Sequence, residues 1–312
     1  MIVAERLTKY YGDRAAVADV SFTIAGGEVV GLLGLNGAGK TTTLRILSGL
    51  LLPTAGRVSI AGADMAREPE AARARIGFLP EQPPLYPEMT VRAYLEFVAH
   101  IKGFSGDVDQ AIADALAAAD LTSVAGDRIS TLSHGFQRRV GIAQAIVHKP
   151  TLILLDEPTA GLDPVQIVQM RQLVRGLRGR NTILVSSHLL SEIHQVCDRI
   201  LVMQNGRIVA EGSEQELAGR LGSKTTVSVE VRGAAAALAA ALSRAAVARH
   251  HIDREENGLT YATVELKSDN REELARALVE AGLGLRRLER VELELESIFL
   301  KLTSSESRQR AP

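Results

Sequence analysis

The sequence contains no tryptophan, one cysteine and few aromatic residues, which make up 4% of its 312 residues. The single cysteine, Cys197, excludes an internal disulfide and is typical of a protein from a reducing compartment. Neither sign of charge dominates, because 36 lysines and arginines stand against 37 acidic residues and leave a formal net charge of −1. Such a balance does not indicate nucleic acid as a partner.

Long apolar runs are also missing. No stretch approaches the roughly 20 apolar residues that a helix needs to cross a bilayer. Met1 leads directly into a strand-like segment, 2–4, so no N-terminal signal is expected. With 46% hydrophobic residues the chain has room for one large domain, or one large and one small, with a sizeable core. Any role at a membrane is therefore expected to act through a partner.

A glycine-rich segment, residues 34–41, matches the pattern G-x-x-x-x-G-K-[ST]. An apolar strand-like run, 29–33, precedes it and a helical pattern, 42–47, follows it. Glycines allow backbone N–H groups to turn toward a phosphate, and the start of the helix adds a partial positive charge. Lys40 is placed to reach the β- and γ-phosphates of a nucleoside triphosphate, and the Thr41 hydroxyl to complete the shell of a Mg²⁺ ion. The ATP-binding residues predicted in this segment are Gly34, Leu35, Asn36, Gly37, Ala38, Gly39, Lys40, Thr41 and Thr42.

The order of strand and helix patterns predicts an α/β core. Short β patterns surround the glycine-rich segment, and residues 88–147 form an alanine-rich helical subdomain. The apolar runs 152–155 and 183–185 are typical of central parallel strands, and the helical stretch between them, 165–178, implies a β-α-β unit. The Asn-Gly dipeptide at 205–206 predicts a β-hairpin.

The composition changes near the end of the core, where we predict a boundary between a core domain, 1–220, and a smaller domain, 224–302. The smaller domain follows the order β-α-β-β-α-β, with its last strand at 291–295. This order predicts a small α+β domain of the ferredoxin-like kind. Residues 303–312 have the polar composition of a flexible tail.

Two acidic residues follow the buried-strand pattern at 152–155. Asp156 is placed to deliver a carboxylate to a metal ion beside the phosphate-binding loop. Glu157 is placed to act as the general base toward an attacking water. The segment Pro-Thr-Ala-Gly-Leu-Asp, 158–163, comes directly after them. An acidic turn after a strand is weak evidence alone, but after a phosphate-binding loop and before this segment it predicts a catalytic site.

With these motifs, residues 2–220 resemble the ATP-binding subunits of ABC transporters. The resemblance implies a P-loop ATPase core with an antiparallel β subdomain and a helical subdomain. The segment Leu-Ser-His-Gly-Phe-Gln, 132–137, stands where that family has its LSGGQ signature, with His134 in place of the first glycine. The resemblance implies that Ser133 and Gly135 touch the γ-phosphate of ATP bound to an opposite subunit.

Three further residues match the same family. Asp163 corresponds to its D-loop aspartate, which belongs to the ATP site. His188 corresponds to the switch histidine, which contacts the γ-phosphate and takes part in catalysis. Tyr11 corresponds to the aromatic residue that stacks on adenine, and we prefer it to Tyr10 because it directly precedes Gly12.

The chain departs from the family at the loop that contacts the metal ion. The family has a glutamine directly after the proline of this loop, and here that position is Glu81, with Gln82 one residue later. Either Glu81 contacts the metal ion or its water, or the loop shifts to present Gln82. We favour Glu81, which occupies the family's position directly after the proline. Its carboxylate would add negative charge near Mg²⁺.

The resemblance implies an ATP-hydrolysing subunit that powers export through a separate multi-span membrane subunit. ATP would hold two copies of the chain together, on the cytoplasmic side of the cell membrane, and hydrolysis would release them. The alternative is a soluble ABC ATPase that acts on ribosomes or nucleic acid. Such proteins carry two ATP-binding units or a long heptad insertion, and this sequence has neither feature. A third hypothesis, compatible with the first, makes the small domain a regulatory or dimerising module.

Several other conspicuous residues have simpler interpretations. His134 is expected to be a surface residue at the start of a helix. His250 and His251 are interpreted as ordinary strand residues, because no third ligand follows at the spacing of a metal site. The charged segment 286–290 is interpreted as a solvated face.

Overall fold

The computed structural model describes residues 1–213, 216–217, 225–245, 247–266 and 270–290. Its internal contacts divide the chain into two compact units, Met1–Glu214 and Gln215–Pro312. No helix in the described ranges is long and apolar enough to span a membrane.

The first unit contains a four-stranded antiparallel sheet. Its strands are β1 Ile2–Tyr11, β2 Arg14–Ile24, β4 Ala55–Ile60 and β5 Ala63–Asp64. They lie in the order β2-β1-β4-β5. The turn at Gly12 and Asp13 joins β1 to β2 and leaves Tyr11 as the last residue of β1. This sheet is the antiparallel β subdomain that the family resemblance predicts.

A six-stranded sheet forms the centre of the first unit. Its strands are β3 Val29–Leu33, β6 Ile76–Leu79, β7 Leu152–Asp156, β8 Thr182–Ser187, β9 Arg199–Gln204 and β10 Arg207–Gly212. They lie in the order β10-β9-β3-β8-β7-β6, and all are parallel except β10, which forms the predicted hairpin with β9. Every residue of β3, β7 and β8 is buried, which explains their continuous apolar sequences.

The described helices of the first unit are α1 Lys40–Leu47, α2 Pro69–Arg73, α3 Val91–Ile101, α4 Val108–Ala118, α5 His134–Ile146, α6 Pro164–Gly176 and α7 Leu190–Ile193. Helices α3, α4 and α5 share a hydrophobic cluster of their own, which includes Tyr94, Ile112 and Val140. Together they form the helical subdomain. The side chain of Ser133 caps α5 and that of Asp163 caps α6, each by accepting a backbone N–H.

The second unit contains strands β11 Thr225–Arg232, β12 Val247–Glu256, β13 Leu259–Leu266 and β14 Gly284–Arg290, with helices α8 Ala235–Arg244 and α9 Arg271–Glu280. The strands form one antiparallel sheet in the order β12-β13-β11-β14. Alternate valines of β11 pack into a core with leucines of both helices, because successive side chains of a strand point to opposite faces. The order of elements and the pairing of strands are those of a ferredoxin-like sandwich.

One strand of the second unit lies where the sequence predicts only a solvated face. Residues 286–290 belong to β14, and Leu285 and Leu288 pack against the core of the unit. The charged side chains between them conceal this pattern, because only one face of the strand is covered. The strand predicted at 291–295 and the tail 303–312 lie outside the described residues.

Candidate active site

The loops that follow β3, β7 and β8 lie at one edge of the six-stranded sheet. These strands are parallel neighbours, with Leu33 paired to Ser187 and Asp156 paired to Ser186. Since parallel strands end at the same edge, the sheet brings together the phosphate-binding loop, Glu157 and His188. Segments that are distant in the sequence therefore form one site.

The phosphate-binding loop depends on glycine at two close approaches. A Cβ atom on Gly34 would lie 2.5 Å from the carbonyl oxygen of Met203, and one on Gly39 would lie 2.4 Å from that of Ala16. Gly39 also has a φ angle of +107°, which side chains other than glycine rarely tolerate. The loop is thus held tightly against its neighbours and leads into the N-terminus of α1, where backbone N–H groups favour an anion.

Lys40 is the first residue of α1 and is 5% exposed. Its Nζ donates a hydrogen bond to the carbonyl oxygen of Gly34 at 2.6 Å and lies 3.2 Å from Oε1 of Glu157. A buried ammonium is stable only with such partners. These contacts fix its positive charge inside the loop, where phosphate oxygens would be further acceptors.

Asp156, at the end of β7, is 1% exposed. Its Oδ1 accepts hydrogen bonds from the hydroxyls of Ser186 at 2.8 Å and Thr41 at 3.2 Å. Its Oδ2 is buried and has no hydrogen-bond partner among the described residues. Burial raises the pKa of Asp156 above its ordinary value, while the two hydrogen bonds act in the opposite direction. A buried carboxylate oxygen beside a threonine hydroxyl is the kind of donor set that a hard cation prefers.

Glu157 is held by both its backbone and its side chain. Its φ angle of +47° is unusual for a residue with a side chain. Its N–H donates to Oγ of Ser186 at 2.9 Å, and its carbonyl oxygen accepts from Nη2 of Arg138 at 3.0 Å. Its carboxylate contacts Lys40 through Oε1 and Nδ1 of His188 through Oε2, the latter at 2.9 Å. The carboxylate therefore has a fixed direction at the edge of the sheet.

Lys40, Thr41, Glu157 and His188 line an open cleft of about 530 Å³. The lining residues are Tyr11, Arg14, Ala16, Asn36, Gly37, Gly39, Lys40, Thr41, Thr42, Glu81, Glu157, Ala160 and His188. Tyr11 is 50% exposed, so its ring is available to a ligand. Glu81 borders the cleft and Gln82 is not among the lining residues, which favours the first of the two interpretations of this loop.

Seven predicted site residues are not among those that line the cleft. Gly34, Leu35 and Ala38 belong to the phosphate-binding loop itself, and Asp156 contacts this loop through Thr41. The other three lie on different elements. Ser133, Gly135 and Asp163 are absent from the lining of the cleft, and the side chains of Ser133 and Asp163 cap helices instead. Ser133 lies exposed at the start of α5, while Gly135 packs against Gln166 of α6. A direct contact with ATP would therefore require a second chain to approach this surface.

Ser186 and Ser187, which hold Glu157 and the segment after β8, were not predicted from the sequence as site residues. Ser186 and Ser187 have the appearance of an ordinary strand end, yet Ser186 bridges Asp156 and the N–H of Glu157. The hydroxyl of Ser187 donates to Oε2 of Glu192 at 2.7 Å. The only sequence signal was that two adjacent hydroxyl residues precede His188 in a strand that is otherwise apolar.

Comparison with known proteins assigns the class of this site. The chain matches the ABC transporter family over residues 17–160. It is 34% identical to the linearmycin resistance ATP-binding protein of Bacillus subtilis, across 97% of this chain and 98% of that protein. It is 38% identical to the Nod factor export ATP-binding protein I of Burkholderia lata, across 96% of this chain and 95% of that protein.

A solved structure agrees with these relatives. It is a dimeric ATP-binding cassette in a post-hydrolysis state bound to ADP and phosphate, with 28% identity and a TM-score of 0.62, over 68% of this chain and 98% of that one. The chain therefore belongs to the ABC transporter family. Within that family it is an ATP-binding and ATP-hydrolysing subunit of the export and resistance type. These relatives favour a transporter subunit over the soluble ATPase of ribosomes or nucleic acid.

Proposed function

We propose that this chain powers export through a separate multi-span membrane subunit, by pairing with a second copy when ATP is bound and parting from it after hydrolysis. The observation that carries the proposal is the convergence of Lys40, Glu157 and His188 on one cleft. Thr41 also lines this cleft and donates a hydrogen bond to Asp156. The proposed place of action is the cytoplasmic face of the cell membrane.

In this proposal Glu157 is the general base that activates water for attack on the γ-phosphate. The carboxylate is 3.2 Å from Lys40 and 2.9 Å from His188, so its position is fixed before any water binds. His188 holds the carboxylate and is free to offer its other ring nitrogen to the γ-phosphate. Lys40 and the N–H groups of the phosphate-binding loop neutralise the phosphate oxygens.

We propose that Mg²⁺ is held by Thr41 and Asp156, with Glu81 as a contact to the ion or its water. The unpartnered Oδ2 of Asp156 fits this assignment, because a buried carboxylate oxygen without a donor is otherwise costly. Held by these residues, the ion would supply positive charge to offset the negative charge that develops on the phosphate oxygens. Thr41 and Asp156 are already linked by a hydrogen bond of 3.2 Å, so the two proposed metal ligands lie next to each other.

A second copy of the chain is the proposed source of the missing ATP contacts. Ser133 is exposed at the start of α5, and neither it nor Gly135 nor Asp163 lines the cleft of its own chain. The exposed end of a helix with a hydroxyl group suits a phosphate on a facing surface. The solved dimeric relative supports this arrangement by its similarity to the present chain. Tyr11, which lines the cleft and is half exposed, is proposed to stack on the adenine of the same ATP.

Lys40→Ala tests whether the cleft binds a triphosphate. We expect the affinity for ATP to fall by at least about tenfold, because the cation removed would meet the β- and γ-phosphates in charge-assisted hydrogen bonds. Isothermal titration calorimetry on the full chain measures the change. Lys149→Ala is the matched control, because Lys149 pairs with Asp114 on the helical subdomain and does not line the cleft. Equal ATP affinity in wild type and Lys40→Ala would contradict the assignment.

A cluster of exposed aromatic residues is the proposed contact with the membrane subunit. Tyr86 is 51% exposed and Phe97 is 37% exposed, and their rings meet edge to face at 5.4 Å. Ile101, one turn after Phe97 on α3, is 67% exposed. Exposed apolar residues are unremarkable singly, but a cluster indicates a surface for a partner. This cluster follows the loop of Glu81 closely in the chain, so a partner bound there would lie near the loop that reaches the cleft.

The double variant Tyr86→Ser, Phe97→Ser tests this surface. We expect the double variant to lose copurification with the proposed multi-span membrane subunit, since aromatic anchors commonly carry most of the binding energy of an interface. The ATPase rate of the isolated chain should stay within about twofold, because neither residue lines the cleft. Val279→Ser, which changes an exposed apolar residue of the second unit, is the control. Undiminished copurification of the double variant would refute this surface.

A further inference from the structure

Arg138 is a buried cation that the roles described above leave unused. It lies on α5, five residues after Ser133, and is 3% exposed. Its Nη2 donates to the carbonyl oxygen of Glu157 at 3.0 Å. Its Nη1 donates to the carbonyl oxygens of Pro80, at 3.4 Å, and Glu81. One guanidinium therefore joins three parts of the first unit: the signature helix, the loop of Glu81 and the residue after β7.

Stability alone does not explain this arrangement. Burial lowers the pKa of Arg138, and the nearby carboxylates of Glu81, Asp156 and Glu157 act in the opposite direction. No carboxylate pairs with the guanidinium directly, and its Nε is buried without a hydrogen-bond partner among the described residues. A buried charge with an unsatisfied donor costs stability relative to an apolar side chain. Such costs are found mainly at functional sites.

The hydrogen bond from Arg138 stabilises a strained backbone conformation of Glu157. The backbone of Glu157 has a positive φ angle, and such a conformation persists only where the surroundings hold it. Ser186 holds the N–H side of this residue and Arg138 holds its carbonyl side. If the carbonyl contact is lost, the residue is free to relax toward an ordinary conformation. The carboxylate would then turn away from the direction set by Lys40 and His188.

We propose that Arg138 is a positioning residue for Glu157, and that it ties the direction of the catalytic carboxylate to the placement of the signature helix and of the Glu81 loop. The proposal rests on the proposed role of Glu157 as general base. It gives α5 a second function besides presenting Ser133 to a partner chain. Movement of the helical subdomain against the sheet would change the contacts of Arg138. This change would alter the direction of the Glu157 carboxylate. The base would be aligned only when α5 and the Glu81 loop are both in place.

The test compares Arg138→Met with Arg139→Met as matched control. Arg139 is the next residue of α5, but it pairs with Asp120 and Gln169 rather than with the site. We expect Arg138→Met to lower kcat by roughly 10²-fold, since a displacement of about 1 Å of a catalytic group has this effect. The KM for ATP and the calorimetric ATP affinity should change by less than about threefold, because Arg138 does not line the cleft. Arg139→Met should leave kcat unchanged.

A double variant separates positioning from general damage to the fold. If Arg138 acts through Glu157, then adding Arg138→Met to Glu157→Gln should not slow the residual single-turnover hydrolysis further, because groups that act as a unit are not additive. A structural lesion would lower that residual rate by the same factor as in the wild-type background. Arg138→Lys keeps the positive charge but loses the planar set of N–H donors of the guanidinium. Its kcat should lie between those of Arg138→Met and wild type. This variant carries the test if Arg138→Met does not fold, as judged by its thermal unfolding.

Two results would overturn the proposal. One is a kcat for Arg138→Met and Arg138→Lys equal to that of wild type. The other is a residual single-turnover rate that Arg138→Met lowers in the Glu157→Gln background by the same factor as in the wild-type background. Failure of the general-base assignment is recognised separately, because Glu157→Gln alone would then retain normal turnover.

Discussion

Glu157→Gln is expected to bind ATP with nearly wild-type affinity and to hydrolyse it about 10²- to 10⁴-fold more slowly, the range that a positioned general base contributes. The amide has nearly the same size as the carboxylate, and it is able to keep a hydrogen bond with His188. It removes the basic oxygen and the charge that Lys40 meets at 3.2 Å. Phosphate release at saturating ATP and Mg²⁺ measures the rate, and calorimetry measures the affinity.

His188→Gln is a useful companion to that variant. It preserves a polar group beside Glu157 but removes the imidazole. The hydrolysis rate of this variant therefore measures how far the orientation of the Glu157 carboxylate depends on its hydrogen bond with His188. Turnover of Glu157→Gln within about threefold of wild type would exclude Glu157 as the base, because so small a change is below what general-base catalysis supplies.

Ser133→Arg is expected to abolish both ATP-driven pairing and hydrolysis, while ATP still binds to the single chain. Ser133 is exposed and does not line the cleft of its own chain, so the long cationic side chain would block only a facing copy. Its loss as the cap of α5 costs on the order of 1 kcal/mol, which is not enough to unfold a domain of this size. Sedimentation velocity with and without ATP measures pairing.

Asp107→Arg is the matched control for this variant. Asp107 caps α4 through the N–H of Gln110 and is exposed, so the substitution removes a cap of the same kind and adds the same side chain elsewhere on the helical subdomain. It should pair and hydrolyse ATP normally. Normal hydrolysis by Ser133→Arg, at a dilution where sedimentation finds monomer alone, would refute a site shared between two copies.

Much of the candidate site could be located from the sequence because its signals are local. The spacing of glycines before Lys40 requires a specific loop, and the apolar run before Asp156 is characteristic of a strand buried on both faces. The same reasoning predicted the hairpin at Asn205 and Gly206, whose φ angles are both positive. These features depend on few neighbours, so a short window of sequence contains most of their cause.

Contacts between distant segments were not predictable in this way. Arg138 resembles any arginine on an amphipathic helix, and its importance follows only from the carbonyl oxygens of Pro80, Glu81 and Glu157 that converge on it. Similarly, Ser186 becomes significant because the register of β7 and β8 places it beside Asp156. Strand register and helix packing decide both cases, and neither can be read from a local pattern.

The second unit shows the same limit for secondary structure. The alternating valines of β11 are typical of a strand with one buried face, but the arginines of β14 conceal a strand of the same kind. Leu285 and Leu288 are its only described side chains that pack against the core. Pairing with β11 supplies the rest of its stability through backbone hydrogen bonds that carry no side-chain signature.

The central claim is that ATP joins two copies of this chain through Ser133 and that Glu157 ends the paired state by hydrolysis. Sedimentation velocity of Glu157→Gln with ATP and Mg²⁺, beside the double variant Glu157→Gln, Ser133→Arg, tests it most directly. We expect the first to sediment as a dimer with ATP and as a monomer with ADP, and the second to remain a monomer with either nucleotide. A dimer of the double variant with ATP, or a monomer of Glu157→Gln at saturating ATP, would contradict the account.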